Sequence, residues 1–168
     1  TKKMVELACE GLAGCDPLEL ELDAHIQFRD GMTTAEIQKI LIQTAIEKVI
    51  QTQVDGFGNA VKTTHTNWQY VAAKLLAFDL YKKAKINRGY NHFGYGDYFE
   101  LVKKMVEMHL YGEYLTAVYT DEEIKELAAY IKPERDYLFN YEGLKLLADR
   151  YLVKGFKKEV FELPQERF

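Results

Sequence analysis

Apolar residues recur at helical spacing over most of this chain, and the clearest stripe follows a helix-start signal. Thr33 with Glu36 three residues later is the pattern of a capping box, in which each residue bonds the other's backbone amide. The preceding Asp30-Gly31 pair predicts a tight turn in which Gly31 takes a positive φ. The sequence therefore predicts an amphipathic helix from Thr33, with an inward stripe of Ile37, Ile40, Leu41, Thr44, Ala45 and Val49.

Similar stripes predict helices elsewhere. A first helix occupies the start of the chain and ends at Gly11 or Gly14. Later helices begin at Asn67, Asp97, Thr120 and about Asn140, and Asp97 and Thr120 are each followed by a glutamate three residues on. Pro133 prevents simple continuation of the helix that starts at Thr120. The pattern predicts an all-α fold.

Three segments are less clear. Residues 18–28 alternate apolar and polar positions as a strand does, but Asp16-Pro17 before them is typical of a helix start. Residues 51–66 predict a loop or a short hairpin, and the DGFGN run within them has only a faint likeness to a cation loop, because the other acidic ligands are missing. The end of the chain, from Tyr151, predicts a short hairpin or an extended tail.

Composition excludes several functions. The 168 residues are 48% hydrophobic, enough for one core or two small packed domains. No apolar run is long enough to cross a bilayer and no leader pattern opens the chain, so a cytoplasmic location is expected. A net charge of -4 argues against nucleic acid as a partner. Cys9 and Cys15 have no companion ligands at zinc spacing, so they are interpreted as reduced thiols and no metal site is expected.

Several phrases resemble one known family in the order that the family has them. HIQFRDGMTTAEI (25–37) is similar to the middle of an ATP cone, the regulatory domain of the large subunit of class I ribonucleotide reductases. The resemblance continues through WQYVAAKLLAFDLYKKA (68–84), LVKKMVEMHLYGEYL (101–115), YTDEEI (119–124), RYLVKG (150–155) and ELPQERF (162–168). It implies a truncated cone over residues 1–86 and the start of the large subunit's N-terminal all-α region over residues 87–168. It also favours a helix at residues 18–28.

The resemblance implies a function for the parent enzyme. Such enzymes reduce ribonucleoside diphosphates to deoxyribonucleoside diphosphates with a radical from a small subunit, while the cone senses ATP against dATP and shifts the oligomeric state. The implied partners are the remainder of the large subunit and the small subunit. The implied effectors are ATP and dATP, and no cofactor is expected in this segment. Because the family's reactive cysteines lie beyond the matched region, this chain alone is expected to be inactive.

The resemblance also implies an effector site at Thr34, Gln38 and Lys82. Thr34 and Lys82 match the family, whereas Gln38 stands where histidine is often found, and the basic hairpin that grips the phosphates would precede this chain. The residues themselves allow plainer roles, namely a helix cap for Thr34, a wet surface for Gln38 and a dipole-compatible helix end for Lys82. Two other functions stay open: a helical protein-interaction module with a degenerate cone, and a nucleotide-sensing repressor, which the missing zinc ribbon and basic face disfavour.

Overall fold

The computed structural model describes residues 2–54 and 60–167, with side chains outside 51–62. This part of the chain is mainly helical, which confirms the all-α prediction, and its one sheet is a two-stranded antiparallel hairpin that pairs Ile50 with Thr64 and Val54 with Ala60. The DGFGN run, residues 55–59, lies outside the described ranges. The elements are α1 Lys2–Cys9, α2 Pro17–His25, α3 Thr34–Glu47, β1 Ile50–Val54, β2 Ala60–Thr64, α4 Trp68–Arg88, α5 Tyr98–Glu107, α6 Tyr114–Val118, α7 Asp121–Ala128 and α8 Tyr141–Leu146, with a 3-10 segment Pro133–Leu138, a π-helical turn Leu147–Tyr151 and a 3-10 turn Pro164–Glu166.

The chain packs into two compact units. Unit 1 comprises Thr1–Leu76 with Tyr137–Gly143, and unit 2 comprises Ala77–Asp136 with Leu144–Phe168. The boundary between the units falls inside α4. The family resemblance implies a different boundary, between residues 86 and 87. That boundary separates homologous regions and stays a prediction.

In unit 1, residues 18–25 of the ambiguous segment lie in α2, and the segment's last three residues follow the helix. The Asp16 carboxylate accepts a hydrogen bond of 2.9 Å from the Leu18 amide, and Pro17 occupies the first turn. Helical spacing then buries Leu20 and Ala24 completely. The capping signal, together with burial four residues apart, therefore prevails over the alternating pattern.

The other predicted start and stop signals also form. Gly31 has a φ of 83°, as the turn before α3 requires, and Gly11 and Gly14 both have positive φ after α1 ends at Cys9. The Thr33 and Thr120 capping boxes are both complete. Asp97 caps α5 by accepting the Glu100 amide at 3.1 Å.

Unit 2 builds its core from two groups of side chains. Phe99 and Val102 of α5 pack with Ile124 of α7, while Leu101 and Met105, on the other side of α5, pack with Phe161. The end of the chain is extended, with one bridge between Lys154 and Val160. Within the described residues, no helix is long and apolar enough to span a membrane.

Candidate functional site

The first two turns of α3 carry two of the three predicted effector residues, Thr34 and Gln38. Thr33 and Glu36 close the turn: the Thr33 amide donates to Glu36 Oε2 at 2.8 Å, and the Glu36 amide donates to Thr33 Oγ1 at 3.3 Å. Thr34 is the first helical residue and is exposed. The capping box therefore holds Thr34 on the solvent side of a rigid helix start.

The first turn of α3 combines the positive potential of a helix start with the negative charge of Glu36. The amino end of an α-helix carries positive potential that attracts anions. Glu36 already places a carboxylate there, and the hydrogen bond from the Thr33 hydroxyl, followed by that from the Thr33 amide, lowers the Glu36 pKa. Because Glu36 stays ionised at neutral pH, a phosphate at this helix start would share the positive end with a negative charge.

An open cleft of about 710 Å³ adjoins the start of α3. It is lined by Ile26, Gln27, Arg29, Asp30, Gly31, Met32, Glu36 and Ile40. Arg29 is the cationic side chain in this lining, and sequence reasoning did not assign it a role. Its place in the phrase FRDG, just before the turn that starts α3, was the signal that could have identified it.

Gln38 is buried and does not lie on the solvent-exposed surface. Its side chain is only 6% exposed, and its Nε2 donates a hydrogen bond of 2.8 Å to the carbonyl oxygen of Leu75 in α4. The amide group therefore fastens α3 to α4 inside unit 1. Gln38 can influence the start of α3 through this packing, since it lies one turn beyond Thr34 on the same helix.

Lys82 lies in the second half of α4, in unit 2, and is exposed. The neighbouring lysines are engaged differently: Lys83 pairs with Asp79 at 2.6 Å, and Lys85 donates to the Asn91 carbonyl at 2.8 Å. Lys82 is exposed at the same end of α4 as these lysines, which stabilise the helix and the turn after it. Since Thr34 and Gln38 belong to unit 1, convergence of the three residues stays a prediction.

Three buried polar clusters among the described residues, around Lys48, Asp136 and Arg88, were missed by sequence reasoning. In unit 1, Lys48 is 4% exposed and reaches Glu19 at 2.6 Å and Asp23 at 2.5 Å, with its ammonium 5.2 Å from the Trp68 ring centroid. Burial lowers the Lys48 pKa, but the hydrogen bonds to Asp23 and Glu19 outweigh it and leave the pKa raised. Lys48 therefore stays charged and joins α2 to the end of α3.

In unit 2, Asp136 is 1% exposed and accepts hydrogen bonds from Tyr81 at 2.6 Å, Tyr95 at 2.8 Å and the Gln165 amide at 3.0 Å. Burial raises the Asp136 pKa against the opposing effect of these donors. Asp136 anchors the end of the chain through the Gln165 amide.

A second anchor in unit 2 is the pair formed by Arg88 and Glu166. Arg88 Nη1 lies 2.7 Å and 3.0 Å from the two carboxylate oxygens, and the two side chains are 4% and 0% exposed. Burial raises the Glu166 pKa to about 7, although Arg88 opposes the rise. The last turn of α4 is thereby fixed to the 3-10 turn Pro164–Glu166.

The two cysteines are free and buried. Burial raises the pKa of Cys9 to about 12 and that of Cys15 to about 11. Thiols with such values are poor nucleophiles and poor metal ligands at neutral pH. Among the residues that the structure describes, no group of three histidine, cysteine, aspartate or glutamate side chains is placed to hold a metal ion.

Comparison with known proteins gives one consistent result. No family model matches the chain. The chain is 39% identical over 167 residues to the ribonucleoside-diphosphate reductase subunit alpha of Helicobacter pylori, which covers 99% of this chain and 19% of that protein. It is 34% identical over 164 residues to the ribonucleoside-diphosphate reductase 1 subunit alpha of Escherichia coli, covering 97% and 19%. It is 33% identical over 167 residues to the alpha subunit of Enterobacteria phage T4, covering 99% and 20%. The chain therefore spans about a fifth of the length of these curated relatives.

Proposed function

We propose that this chain, which is homologous over nearly its whole length to ribonucleoside-diphosphate reductase alpha subunits, is the nucleotide-sensing regulatory region of such an enzyme. The reaction served is the reduction of ribonucleoside diphosphates to deoxyribonucleoside diphosphates, in cooperation with the rest of the large subunit and a radical-generating small subunit. ATP and dATP are the effectors. The observation that carries the proposal is the match over 99% of the chain to alpha subunits from bacteria and a phage.

The proposed effector site uses Thr34, Gln38 and Lys82 in different ways. Thr34 sits at the amino end of α3, where backbone amides and the helix dipole favour a phosphate oxygen. Lys82 supplies an exposed cation for a charge-assisted hydrogen bond to another phosphate. Gln38, whose side chain is bonded to α4, holds α3 in position. Arg29, in the cleft beside Thr34, is a further cation available to the phosphates.

The strength expected from this residue set is modest. A hydrogen bond between a charged group and phosphate contributes roughly 1.5 to 3 kcal/mol net. Glu36 adds a negative charge at the same helix start. We therefore expect this chain to bind ATP or dATP weakly.

Calorimetric titration tests the proposal in two settings. The first is the 168-residue chain. The second is a chimera in which this segment replaces the matching region of the Helicobacter pylori alpha subunit. Lys82→Ala should lower the affinity of the chimera for ATP about tenfold or more. Lys83→Ala is the matched control, because it removes the same charge at the neighbouring position. The Lys83 side chain pairs with Asp79.

The outcomes separate the parts of the proposal. Equal effects of Lys82→Ala and Lys83→Ala would refute the role of Lys82 and leave it as a stabiliser of the helix end. A chimera that keeps reductase turnover but binds no nucleotide at this region would refute nucleotide sensing altogether.

A second candidate is a helical interaction module with a degenerate cone. Two features of α3 favour this candidate. The Gln38 side chain donates its hydrogen bond to the Leu75 carbonyl, and the Glu36 carboxylate occupies the helix start. If the chain is such an interaction module, the chimera shows no response to ATP. Removal of exposed apolar side chains from this segment then disrupts assembly of the chimera. The titration described above distinguishes the two candidates, because only the first requires heat of ATP binding that depends on Lys82.

A further inference from the structure

Helix α2 carries a stripe of large aliphatic side chains on its solvent side. Leu18, Leu22 and Ile26 follow one another at intervals of four residues and are 59%, 60% and 84% exposed. Ile26 directly follows the helix but keeps helical angles, with φ -58° and ψ -28°, so it continues the stripe. Residues at this spacing share one helix face.

The core of unit 1 does not account for this stripe. The inward face of α2 is formed by Leu20 and Ala24, both 0% exposed. A surface helix is normally apolar on one face and polar on the other, whereas a helix that is apolar on both faces is normally covered on both. Contiguous exposed apolar residues bordered by polar ones are typical of an interaction site. The stripe thus has the composition of a second buried face.

Acidic residues border the stripe on both sides. Glu19 and Asp23 lie along one edge, where buried Lys48 pairs with both of them. Glu21 lies along the other edge, and its Oε1 is buried without a hydrogen-bond partner in the described part of the chain. Three carboxylates against one lysine leave this face negative. Two copies of it would bring like charges together, which disfavours self-association.

The stripe also continues into a cleft. Ile26 lines the open cleft beside the start of α3, together with Met32 and Ile40. The cleft therefore forms a recess at one end of the exposed α2 stripe. A bound helix could place one apolar side chain there while its other apolar residues lie along Leu18 and Leu22.

We propose that the α2 face, defined by Leu18, Leu22 and Ile26, binds an amphipathic helix of a partner protein whose apolar stripe is bordered by lysine or arginine. The apolar residues provide the contact area, and the basic border pairs with the half-exposed carboxylates of Glu19 and Asp23. This site adjoins the cleft that Arg29 lines, and the proposal does not require nucleotide binding.

A model peptide tests the proposal on the 168-residue chain. The probe is a fluorescein-labelled amphipathic helix of about 18 leucine and lysine residues. Two comparison peptides are a scrambled version without a helical stripe and a leucine–glutamate version with the stripe but the opposite charge. Fluorescence anisotropy should show the leucine–lysine helix binding at least about tenfold more tightly than either comparison peptide.

Variants locate the binding surface. Leu18→Ser with Leu22→Ser should weaken binding of the leucine–lysine helix about tenfold or more, because two contacts of the stripe are lost. Leu127→Ser with Leu138→Ser is the matched control, since these leucines are also exposed, at 53% and 77%, but lie elsewhere. The control should change affinity less than about twofold. Circular dichroism checks that each variant is folded.

Four results would overturn the proposal. Equal binding of the scrambled peptide would show attraction by net charge alone, and loss of binding in the control pair would show an unspecific apolar effect. Sedimentation velocity that reveals self-association lost with Leu18→Ser and Leu22→Ser would identify a second copy as the occupant. Binding to phosphatidylserine–phosphatidylcholine vesicles that is lost in the same variant would identify a membrane surface instead.

Discussion

Replacing Arg88 by methionine should destabilise the protein by an amount that depends on pH. Arg88 bonds Glu166 at 2.7 Å and 3.0 Å, and it also donates to the carbonyls of Asp97 at 2.8 Å and Phe161 at 3.3 Å. Breaking a buried ion pair from one side costs about 3 to 5 kcal/mol. We take about 2.5 kcal/mol for Arg88→Met at pH 8, below this range, because the methionine fills part of the space and Glu166 can escape its charge by taking a proton.

The pH dependence follows from the Glu166 pKa of about 7, which burial raises from its ordinary value of 4.5. A raised pKa in the folded protein contributes stability that is fully present below about 4.5 and is lost as pH rises through about 7. At pH 5, wild-type Glu166 is therefore already protonated and the ion pair no longer exists. The cost of Arg88→Met should then fall to about 1 kcal/mol, which reflects the lost bonds to the two carbonyls.

Urea denaturation followed by circular dichroism measures both costs. For a slope of about 2 kcal/mol per molar urea, the midpoint should fall by about 1.2 M at pH 8 and by about 0.5 M at pH 5. Lys145→Met is the control, because it breaks an exposed pair with Asp149 and should change stability by less than about 1 kcal/mol at either pH. A cost for Arg88→Met that is equal at the two pH values, or larger at pH 5, would refute the reasoning.

Three further predictions concern unit 1. Gln38→Leu should cost about 1 kcal/mol in urea denaturation, because it removes a buried hydrogen bond to α4, whereas Gln43→Leu at an exposed position should cost less than about 0.5 kcal/mol; equal costs would contradict the buried role. Thr33→Ala should lower stability by about 1 kcal/mol through loss of the α3 cap, and an unchanged melting temperature would argue against the capping box. Cys9 and Cys15 should react with Ellman's reagent at pH 8 at least about a hundredfold more slowly in the folded chain than in urea, since their pKa values are about 12 and 11; equal rates would show that the thiols are accessible.

Local signals in the sequence were sufficient for most helices. A threonine with a glutamate three residues on marks a capping box because both hydrogen bonds form within one turn, and both threonine boxes are present at Thr33 and Thr120. Gly31 was predicted for the same reason, since a positive φ is a property of one residue. The family resemblance was also readable from the sequence, and the matches to alpha subunits over 99% of the chain confirm it.

Where two local signals compete, the sequence by itself gives no answer. The alternation in 18–28 and the Asp16 cap favoured different structures, and the choice depended on which side chains the rest of unit 1 buries. Helical spacing buries Leu20 and Ala24 together, while an isolated strand would have had no partner strand to satisfy its backbone. The exposed face of α2 is a consequence of that choice, because the alternating pattern placed Leu18, Leu20 and Leu22 on one side.

The sequence thus determined the helix starts, the turn before α3 and the resemblance to alpha subunits, because each depends on residues that are close along the chain or on a pattern spread over all of it. The tertiary structure decided which polar residues are buried. Gln38 meets the Leu75 carbonyl across 37 positions, and Arg88 meets Glu166 across 78. No local pattern records such distant pairs, since burying a charge or an amide is tolerated only when folding brings its partner within hydrogen-bond distance.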